Sequence, residues 1–509
     1  MAHDRSEMKL DATEARSTFV KMLSEHVTDC GLTKNEIIRQ SGVERATFFR
    51  IVSGRRLPTQ QQLERIVQVM GLPVTERTRL YEEYMKLSLG EEEWNKLKAV
   101  RAIIETLAES DDTCLSGGEK TKADAEATAV VRESDEKNPA VDQSSQISCE
   151  VGMNHVFGCL SQLVDYAFAQ DDGRLSFFVP MGYAPFYDML KTKLGSAAGK
   201  RVHVCQILQF PTEKTNATDK IMECISRIIY FLINDDWDYQ ACYYYENMGR
   251  DCGMATIFPY YLLAGGRVLL LSEDVQQAVL IQSGGMYDVM ARKLAGLVGV
   301  CTPLRAYVSY PEMLMQTERP GKKISLESIP CAAMVARPEY IRKYMTDSDM
   351  SGFIWSHCKR LQEEDELIVY STWDGLRRFA ETGIVEEIPP GIMGPMDVPD
   401  RVAALMDLRE HINHDFYIID ETKMPVSGYW LMTLYADRAL YIYPRIATGT
   451  EKVIVITEKT VVAAFTAYLK NYGNSSDIVD RDTILERLNG LIDDTGRAAG
   501  TEEAPDQKK

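Results

Sequence analysis

The chain has 509 residues, of which 45% are hydrophobic and 26% charged, a composition that is ordinary for a soluble globular protein of two or three domains. Its net charge of −18 argues against nucleic acid as a partner of the whole surface. The most apolar run, residues 255–272, is interrupted by Gly265, Gly266 and Arg267. It is too short and too broken to cross a membrane, so it predicts buried strands and no membrane partner.

The cysteines and the N-terminus both favour a cytoplasmic protein. Eleven cysteines are scattered singly with no CxxC pair, which indicates free thiols in a reducing compartment. The first residues are polar and contain no apolar core of a signal peptide.

The first ninety residues predict a small helical domain. Apolar residues recur at helical spacing in residues 19–27 and 63–70. Thr33 followed by Glu36 is typical of a capping box, which predicts a helix beginning near residue 34. Helices are expected to stop at four glycines, Gly31, Gly42, Gly54 and Gly71. Residues 91–107 predict one more helix.

Positive charge is concentrated in this part of the chain. Residues 1–90 hold 14 Lys and Arg against 12 Asp and Glu, so the remaining residues carry about −20. Within residues 33–65 the balance is seven basic to three acidic residues. A local basic patch on an acidic protein favours a small module that alone contacts phosphate, and a solvated charge cluster is the alternative.

The segment from residue 32 to residue 73 resembles the helix-turn-helix of the Cro/C1 (Xre) family of bacterial and phage DNA-binding proteins. The resemblance covers about residues 16–85 and includes the Thr33 cap, the tight turn at 41–43, Gly54 and Pro58. Ile38, where the family prefers alanine, and Val52, where an acidic residue is frequent, depart from its pattern.

Apolar spacing separates the two faces of the second helix of this motif. Four residues at spacings that let two helices close on one core are Ile37, Val43, Phe48 and Ile51. This closure leaves Arg45, Ala46, Phe49 and Arg50 on the outer face. Arginine there can donate two hydrogen bonds to guanine, and Phe49 or Ala46 can meet a thymine methyl group.

The resemblance also implies contacts with the DNA backbone. Lys34 occupies the position where the family commonly has a glutamine that touches the backbone, and Arg55 and Arg56 are placed for flanking phosphates. A helix-turn-helix used only for protein contacts is the alternative.

Composition changes mark the predicted domains. We expect a multidomain protein: an all-α helix-turn-helix domain at 1–107 with its core at 16–89, a disordered acidic linker at 108–150, a large α/β region, and a disordered tail at 493–509. Residues 151–492 alternate β-rich runs with helical patterns, which indicates an α/β fold.

The α/β region contains a weak internal sequence repeat. Residues 176–190 resemble 366–380, and 279–294 resemble 454–469, each running from a strand into a helix. Two similar halves at 151–345 and 346–492 are one interpretation, and chance resemblance between amphipathic segments is the other.

Signals for catalysis and for metal binding are weak, so we assign no catalytic residue, no metal and no cofactor. His357 and Lys359 form an HxK of the phospholipase D kind, but the acid falls one position too far and no second HxK exists. His411 and His414 could share a helical face, yet nothing completes a metal-ligand set, which favours a structural or exposed pair.

Aromatic residues at strand-to-helix turns predict a ligand crevice. Such turns at the carboxyl ends of strands form the usual binding site of an α/β sheet. On this basis the candidate ligand-binding residues are Tyr183, Phe186, Trp373 and Asp374. Residues 237–251 carry further tyrosines at an expected turn, and the alternative is that the tyrosines simply cap the core.

These features together predict a transcriptional regulator that binds double-stranded DNA. We expect a homodimer, because one recognition helix makes few base contacts. The α/β region would sense a small-molecule effector or a partner, or provide the dimer contact. The alternatives are an enzyme, or a defence-type interaction protein, in which the helix-turn-helix serves only targeting or autoregulation.

Overall fold

In the computed structural model the chain forms two compact units, with the boundary between Lys98 and Ala99. It describes residues 18–110, 146–196, 201–212, 217–234, 237–246, 257–316, 321–346, 348–363, 367–388, 391–412, 414–435, 438–445, 452–473, 475 and 477–502. Within these residues, no helix combines the length and apolar character that a membrane crossing requires.

The first unit is helical and closes on a single apolar core. Its helices are α1 (18–29), α2 (Lys34–Ser41), α3 (Arg45–Val52), α4 (Gln60–Met70), α5 (Val74–Leu89) and the first part of α6 (Glu91–Glu109). Buried residues at helical spacing, among them Phe19, Leu23, Phe48 and Leu63, pack together in the core. The predicted helices are therefore present, including the one expected at 91–107.

Glycines and capping boxes end and begin these helices as predicted. Gly31, Gly42, Gly54 and Gly71 all have positive φ between 62° and 75°, a conformation in which a β-carbon is strained. A second capping box, formed by Thr59 and Gln62, begins α4 in the same way as Thr33 and Glu36 begin α2.

The second unit contains two mixed sheets, each covered by helices. Elements of the first sheet region are β1 (Gln146–Val151), α7 (Met153–Ala169), β2 (Asp172–Phe178), α8 (Ala184–Ser196), β3 (Arg201–Phe210), α9 (Ala217–Ile233), β4 (Asp238–Tyr245), β5 (Tyr260–Ala264), β6 (Arg267–Leu271), β7 (Gln277–Gln282), α10 (Gly284–Val298) and β8 (Thr302–Pro303). The strands are ordered β1-β7-β6-β5-β2-β3-β4-β8.

The second sheet follows directly. Its elements are β9 (Ala306–Val308), α11 (Tyr310–Gln316), β10 (Lys323–Leu326), α12 (Ala332–Val335), α13 (Pro338–Tyr344), α14 (Ser348–Glu363), β11 (Leu367–Thr372), α15 (Trp373–Thr382), α16 (Val398–His411), β12 (Phe416–Ile419), β13 (Trp430–Tyr435), β14 (Ala439–Pro444), β15 (Val453–Ile456), α17 (Lys459–Tyr472) and α18 (Arg481–Glu502). The order is β12-β11-β10-β13-β14-β15-β9.

The two sheets repeat one topology. In each, three parallel strands (β2-β3-β4 and β10-β11-β12) lie beside an antiparallel meander (β5-β6-β7 and β13-β14-β15). The first strand of each half, β1 or β9, returns to pair with the last strand of its meander. Among the strands of the described residues, β8 alone has no counterpart in the other sheet. The interpretation of two similar halves therefore holds at the level of strand order and direction.

The structure corrects how the halves were aligned and divided. Residues 279–294 and 454–469 contain β7 and β15, which are equivalent, but 176–190 and 366–380 contain β2 and β11, whereas the counterpart of β2 is β10. The change of sheet falls between β8 and β9, near residue 305, rather than at 345/346, because β9 and β10 already pair within the second sheet.

Two further expectations differ from the structure. The tyrosine-rich segment expected at a turn forms β4 up to Tyr245, which pairs with β3 and buries residues 239 and 241–243. Residues 247–251 lie outside the described part. The tail expected to be disordered from 493 continues α18 to Glu502. Of the predicted linker, residues 111–145 lie outside the described residues.

The second part of α6 belongs to the α/β unit. Arg101 donates a hydrogen bond from Nη1 to Asp477 Oδ2 over 2.8 Å, and Ser110 Oγ accepts one from Trp430 Nε1 over 3.2 Å. The predicted end of the N-terminal domain at residue 107 thus lies inside this helix, after the division at residue 98.

Candidate functional sites

Helices α2 and α3 form a helix-turn-helix whose short turn is fixed by local hydrogen bonds and packing. The Thr33 hydroxyl accepts from Glu36 N, and the Glu36 carboxylate accepts from Thr33 N over 2.8 Å, so the start of α2 is fixed. Gly42 ends α2 in the left-handed region with φ of 65°. Val43 is buried in the turn and helps to hold the two helices together.

The two faces of α3 differ in the way that the sequence predicts. Phe48 and Ile51 are fully buried in the core of the first unit. Arg45, Ala46 and Arg50 are exposed, and Phe49 keeps 40% of its surface accessible. A large aromatic side chain that remains exposed between two arginines is free to contact a base, which makes this face the candidate DNA-contacting surface.

Arg45 and Phe49 are arranged as a pair. The Arg45 guanidinium lies over the Phe49 ring, 5.8 Å from its centroid, and the Phe49 ring meets Phe48 edge-on at 5.9 Å. Phe48 is anchored in the core, so this stack restrains both exposed side chains. Restraint of this kind lowers the entropy lost on binding.

Basic residues extend this surface at both ends. Arg50 O accepts hydrogen bonds from Arg55 N over 2.8 Å and from Arg56 N over 3.1 Å, which holds the loop after α3 close to the helix. Lys34, exposed, is the first residue of α2. Across the described part of the chain, none of the four arginines nor Lys34 forms an ion pair with a carboxylate, so their charges are available to phosphates.

The proposed ligand-binding residues lie in different surroundings. Phe186 is fully buried and packs edge-on against Phe177 and Tyr187, which leaves it no surface for a ligand. Tyr183 is partly exposed just before α8. Tyr183 follows β2, whose counterpart in the second half is β10, whereas Trp373 follows β11. The two turns are therefore not equivalent positions of the two halves.

Trp373 and Asp374 begin α15 in the second half. Trp373 packs against the core of that half. The Asp374 carboxylate accepts hydrogen bonds from Arg377 and Arg378; although partial burial acts in the opposite direction, these arginines hold its pKa below the usual value. Its charge is already neutralised within the chain.

The two histidines near the end of α16 are not equivalent. His411 Nδ1 is 2.9 Å from Asp415 Oδ1, and this hydrogen bond raises the pKa of His411 despite partial burial. His411 and Asp415 line a cleft of about 370 Å³ together with Arg337 and Asp407. His414 is largely exposed. The expected structural or exposed histidine pair is thus one paired and one exposed residue.

A buried polar cluster in the second half was not predicted from the sequence. The Lys323 ammonium donates to Glu387 Oε1 over 2.9 Å and lies 3.3 Å from Cys331 Sγ. Glu387 Oε2 accepts from Ala332 N over 2.6 Å, and Tyr443 donates to Oε1 over 3.4 Å. These groups line or adjoin a cavity of about 20 Å³.

Burial sets the protonation states in this cluster. Burial, together with the charge of Glu387, raises the pKa of Glu327 well above its usual value. For Glu387 burial acts in the same direction, but it is outweighed by the Lys323 ammonium and the Ala332 N–H, which lower its pKa. Burial thus favours the protonated form of Glu327, whereas Lys323 favours the ionised form of Glu387.

Two members of the cluster have unsatisfied polar atoms. Glu327 is 0% exposed, and neither of its carboxyl oxygens forms a hydrogen bond of good geometry within the described residues, although Ser325 and Cys331 lie close to it. His357, which lines the cavity, is 8% exposed, and its Nδ1 is likewise without a partner there. Burial and the charge of Lys323 lower the pKa of His357 to about 3, so its ring is neutral. Lys359 of the same HxK is instead half exposed and pairs with Glu363.

Only a weak sequence signal pointed to this cluster. Lys323, Ser325 and Glu327 alternate with apolar residues, a pattern that is typical of a strand with one solvent-facing side. In the structure that polar side is buried: Ser325 Oγ is 3.2 Å from Thr433 Oγ1, which is in turn 3.2 Å from the Tyr443 hydroxyl.

Comparisons with known proteins support the N-terminal assignment. A family model described as a helix-turn-helix domain matches residues 16–80. No curated protein sequence matches the chain.

Two solved structures resemble parts of the chain only distantly. Phosphatidylserine synthase from Haemophilus influenzae Rd KW20 is 10% identical over 70% of this chain and 94% of its own, with a TM-score of 0.23. Polyphosphate kinase from Porphyromonas gingivalis is 11% identical over 69% of this chain and 56% of its own, with a TM-score of 0.20. At these scores neither similarity carries an argument about fold or function. The chain thus contains a helix-turn-helix domain followed by a large α/β region with two mixed sheets.

Proposed function

We propose that this protein is a sequence-specific DNA-binding transcriptional regulator of the Cro/C1 (Xre) type that acts in the cytoplasm. The observation that carries the proposal is the exposed face of α3, where Arg45, Phe49 and Arg50 are accessible while Phe48 and Ile51 hold the helix in the core. A helix of this kind fits the major groove with its outer side chains toward the base edges.

Each exposed residue of the motif has a distinct role in this proposal. Arg45 and Arg50 donate to guanine O6 and N7, and Phe49 and Ala46 contact a thymine methyl group. Lys34, Arg55 and Arg56 contact backbone phosphates and set the register of the domain on the duplex. No carboxylate of the described residues competes with these phosphates for the basic side chains.

For the second unit we propose ligand sensing or dimer formation. Support for a homodimer comes from the small size of the recognition surface, since one α3 offers four side chains to the bases and two half-sites supply more. Support for sensing comes from the buried polar cluster and the cleft near His411, because perturbed titratable groups gathered around a cavity are candidates for a binding site.

Fluorescence anisotropy of the full chain tests this proposal. A labelled duplex obtained by selection from a random library is titrated at several salt concentrations. We expect saturable binding that prefers the selected sequence and weakens as salt rises. Arg50→Ala should weaken binding by about 1–3 kcal/mol at its contacted base pair, and Arg79→Ala, which changes an exposed arginine on α5, serves as the matched control.

Two results would reject the proposal. One is a selection that returns no preferred sequence. The other is equal loss of affinity in the Arg50→Ala and Arg79→Ala proteins, which would mean that α3 does not face the DNA.

A further inference from the structure

The second half of the α/β unit brings three potential metal ligands together. One carboxylate oxygen each of Glu327 and Glu387 and the Sγ of Cys331 all lie within 4.8 Å of one another, and all three residues are buried. In the part of the chain that the structure describes, no other group of three such donors is this close. Two of the residues follow β10, and the third comes from the chain after α15, so the sheet assembles donors that are distant in sequence.

The state of Glu327 indicates that this group is incomplete. Its side chain is fully buried, and neither oxygen forms a hydrogen bond of good geometry within the described residues, although the Ser325 hydroxyl and the Cys331 thiol lie close to it. A buried carboxyl group without partners costs free energy even when it is protonated. A ligand that accepts electron pairs from such donors would remove this cost.

Lys323 already provides a positive charge at this place. Its ammonium is 2.9 Å from Glu387 Oε1 and 3.3 Å from Cys331 Sγ, which is where a cation bound by the same donors would be expected. Metal binding would release the protons of the Glu327 carboxyl group and the Cys331 thiol. The two carboxylates and the thiolate would then carry three negative charges, which a divalent metal together with one ammonium balances. Lys323 also lines the cavity of about 20 Å³, into which its flexible stem can turn.

We propose that Glu327, Cys331 and Glu387 form a binding site for a divalent transition metal, with Zn²⁺ as the best-suited ion. A thiolate donor favours zinc over magnesium and calcium, and carboxylates are accepted zinc ligands. Tetrahedral zinc requires donors about 3.3–3.7 Å apart, so side-chain rotations that bring the donors about 1 Å closer complete the site. A water molecule is the usual fourth ligand where three protein donors hold zinc. This site is independent of DNA binding.

Cobalt substitution in the full chain tests the proposal. The protein is stripped with a chelator, dialysed and titrated with Co²⁺, and its visible and near-ultraviolet absorption is recorded; metal content after loading with Zn²⁺ is measured by mass spectrometry. We expect about one metal ion per chain, a sulfur-to-cobalt charge-transfer band, and strong d–d bands typical of tetrahedral coordination. Zn²⁺ added afterwards should abolish these bands.

Two cysteine variants locate the site. Cys331→Ser should lose the charge-transfer band, whereas Cys358→Ser, which changes a buried cysteine that lines the cavity beside Glu387, should keep it. Should Cys331→Ser fail to fold, Glu327→Gln preserves the shape of the side chain and is expected to weaken Co²⁺ binding at least tenfold. The proposal is overturned if the wild-type protein shows no band and retains no metal, if the band survives in Cys331→Ser, or if Glu327→Gln binds Co²⁺ as tightly as wild type.

Discussion

Replacing Lys323 with methionine should strongly destabilise the α/β unit. The ammonium is the main neutralising partner of Glu387, which is buried with it. Methionine has a similar length and no charge, so the substitution leaves a carboxylate in the core that keeps neutral donors such as the Ala332 N–H and the Tyr443 hydroxyl but has lost its cation. Removing one member of a buried ion pair typically costs about 3–5 kcal/mol, and we expect a loss in this range.

A second substitution separates charge from packing. In the Lys323→Met, Glu387→Gln double variant both charges are gone, and the glutamine oxygen can still accept from Ala332 N. Because replacing a whole buried pair by neutral residues is often nearly neutral, the double variant should be more stable than Lys323→Met by on the order of 2 kcal/mol. Lys322→Met, at the exposed neighbouring lysine, is the matched control and should have little effect.

Urea denaturation followed by tryptophan fluorescence measures these differences. Four of the five tryptophans (Trp237, Trp355, Trp373 and Trp430) lie in the α/β unit, so the signal reports its unfolding. Chelator is present throughout to exclude metal. If the single and double variants are equally destabilised, the ammonium does not neutralise Glu387, and our account of the cluster is wrong.

Three further predictions concern other parts of the chain. Gly375→Ala should destabilise the α/β unit by about 3 kcal/mol or more, since a β-carbon there would lie 1.4 Å from Ser328 O. As a control, Gly352→Ala in α14, where a β-carbon meets nothing within 4 Å, should be neutral or stabilising by up to about 1 kcal/mol. Equal unfolding midpoints of the two variants would contradict this packing. Substituting Arg55 and Arg56 together with alanine should reduce the slope of log K against log salt by about 2, and an unchanged slope would show that neither residue contacts phosphate. NMR titration should find the pKa of His411 raised by Asp415 and lowered again in Asp415→Asn. Because the pKa of His411 is higher in the folded state, the pair stabilises the fold at acidic pH, and its contribution is lost as pH rises through that pKa. An unshifted pKa of His411 in the wild-type protein would contradict this pH dependence.

Local signals made the helix-turn-helix predictable. The capping box at Thr33, the glycines that end the helices and the spacing of the buried residues all act within a few residues along the chain. They were sufficient to divide Phe48 and Ile51 from Arg45 and Arg50 correctly between the buried and exposed faces of α3. The helix after residue 91 was predictable for the same reason.

The α/β unit depended on interactions that a single sequence does not display. Lys323 and Glu387 are 64 positions apart along the chain, so the sequence does not show that they form a pair. The alternation of polar residues in β10 is typical of a strand with one solvent-facing side, and only the tertiary structure shows that this side is buried. The matching of β2 with β11 failed because both run into a helix in the same way, and only the pairing of neighbouring strands distinguishes β10 as the true counterpart.

Base-by-base substitution of the selected DNA site, measured with wild-type protein and with Arg45→Ala and Arg50→Ala, tests the central claim most directly. If α3 recognises bases, each variant loses about 1–3 kcal/mol at one or two base pairs and becomes indifferent to their identity, while binding at the other positions is unchanged. A uniform loss of affinity on every sequence would contradict base recognition by α3 and leave these arginines as phosphate contacts only.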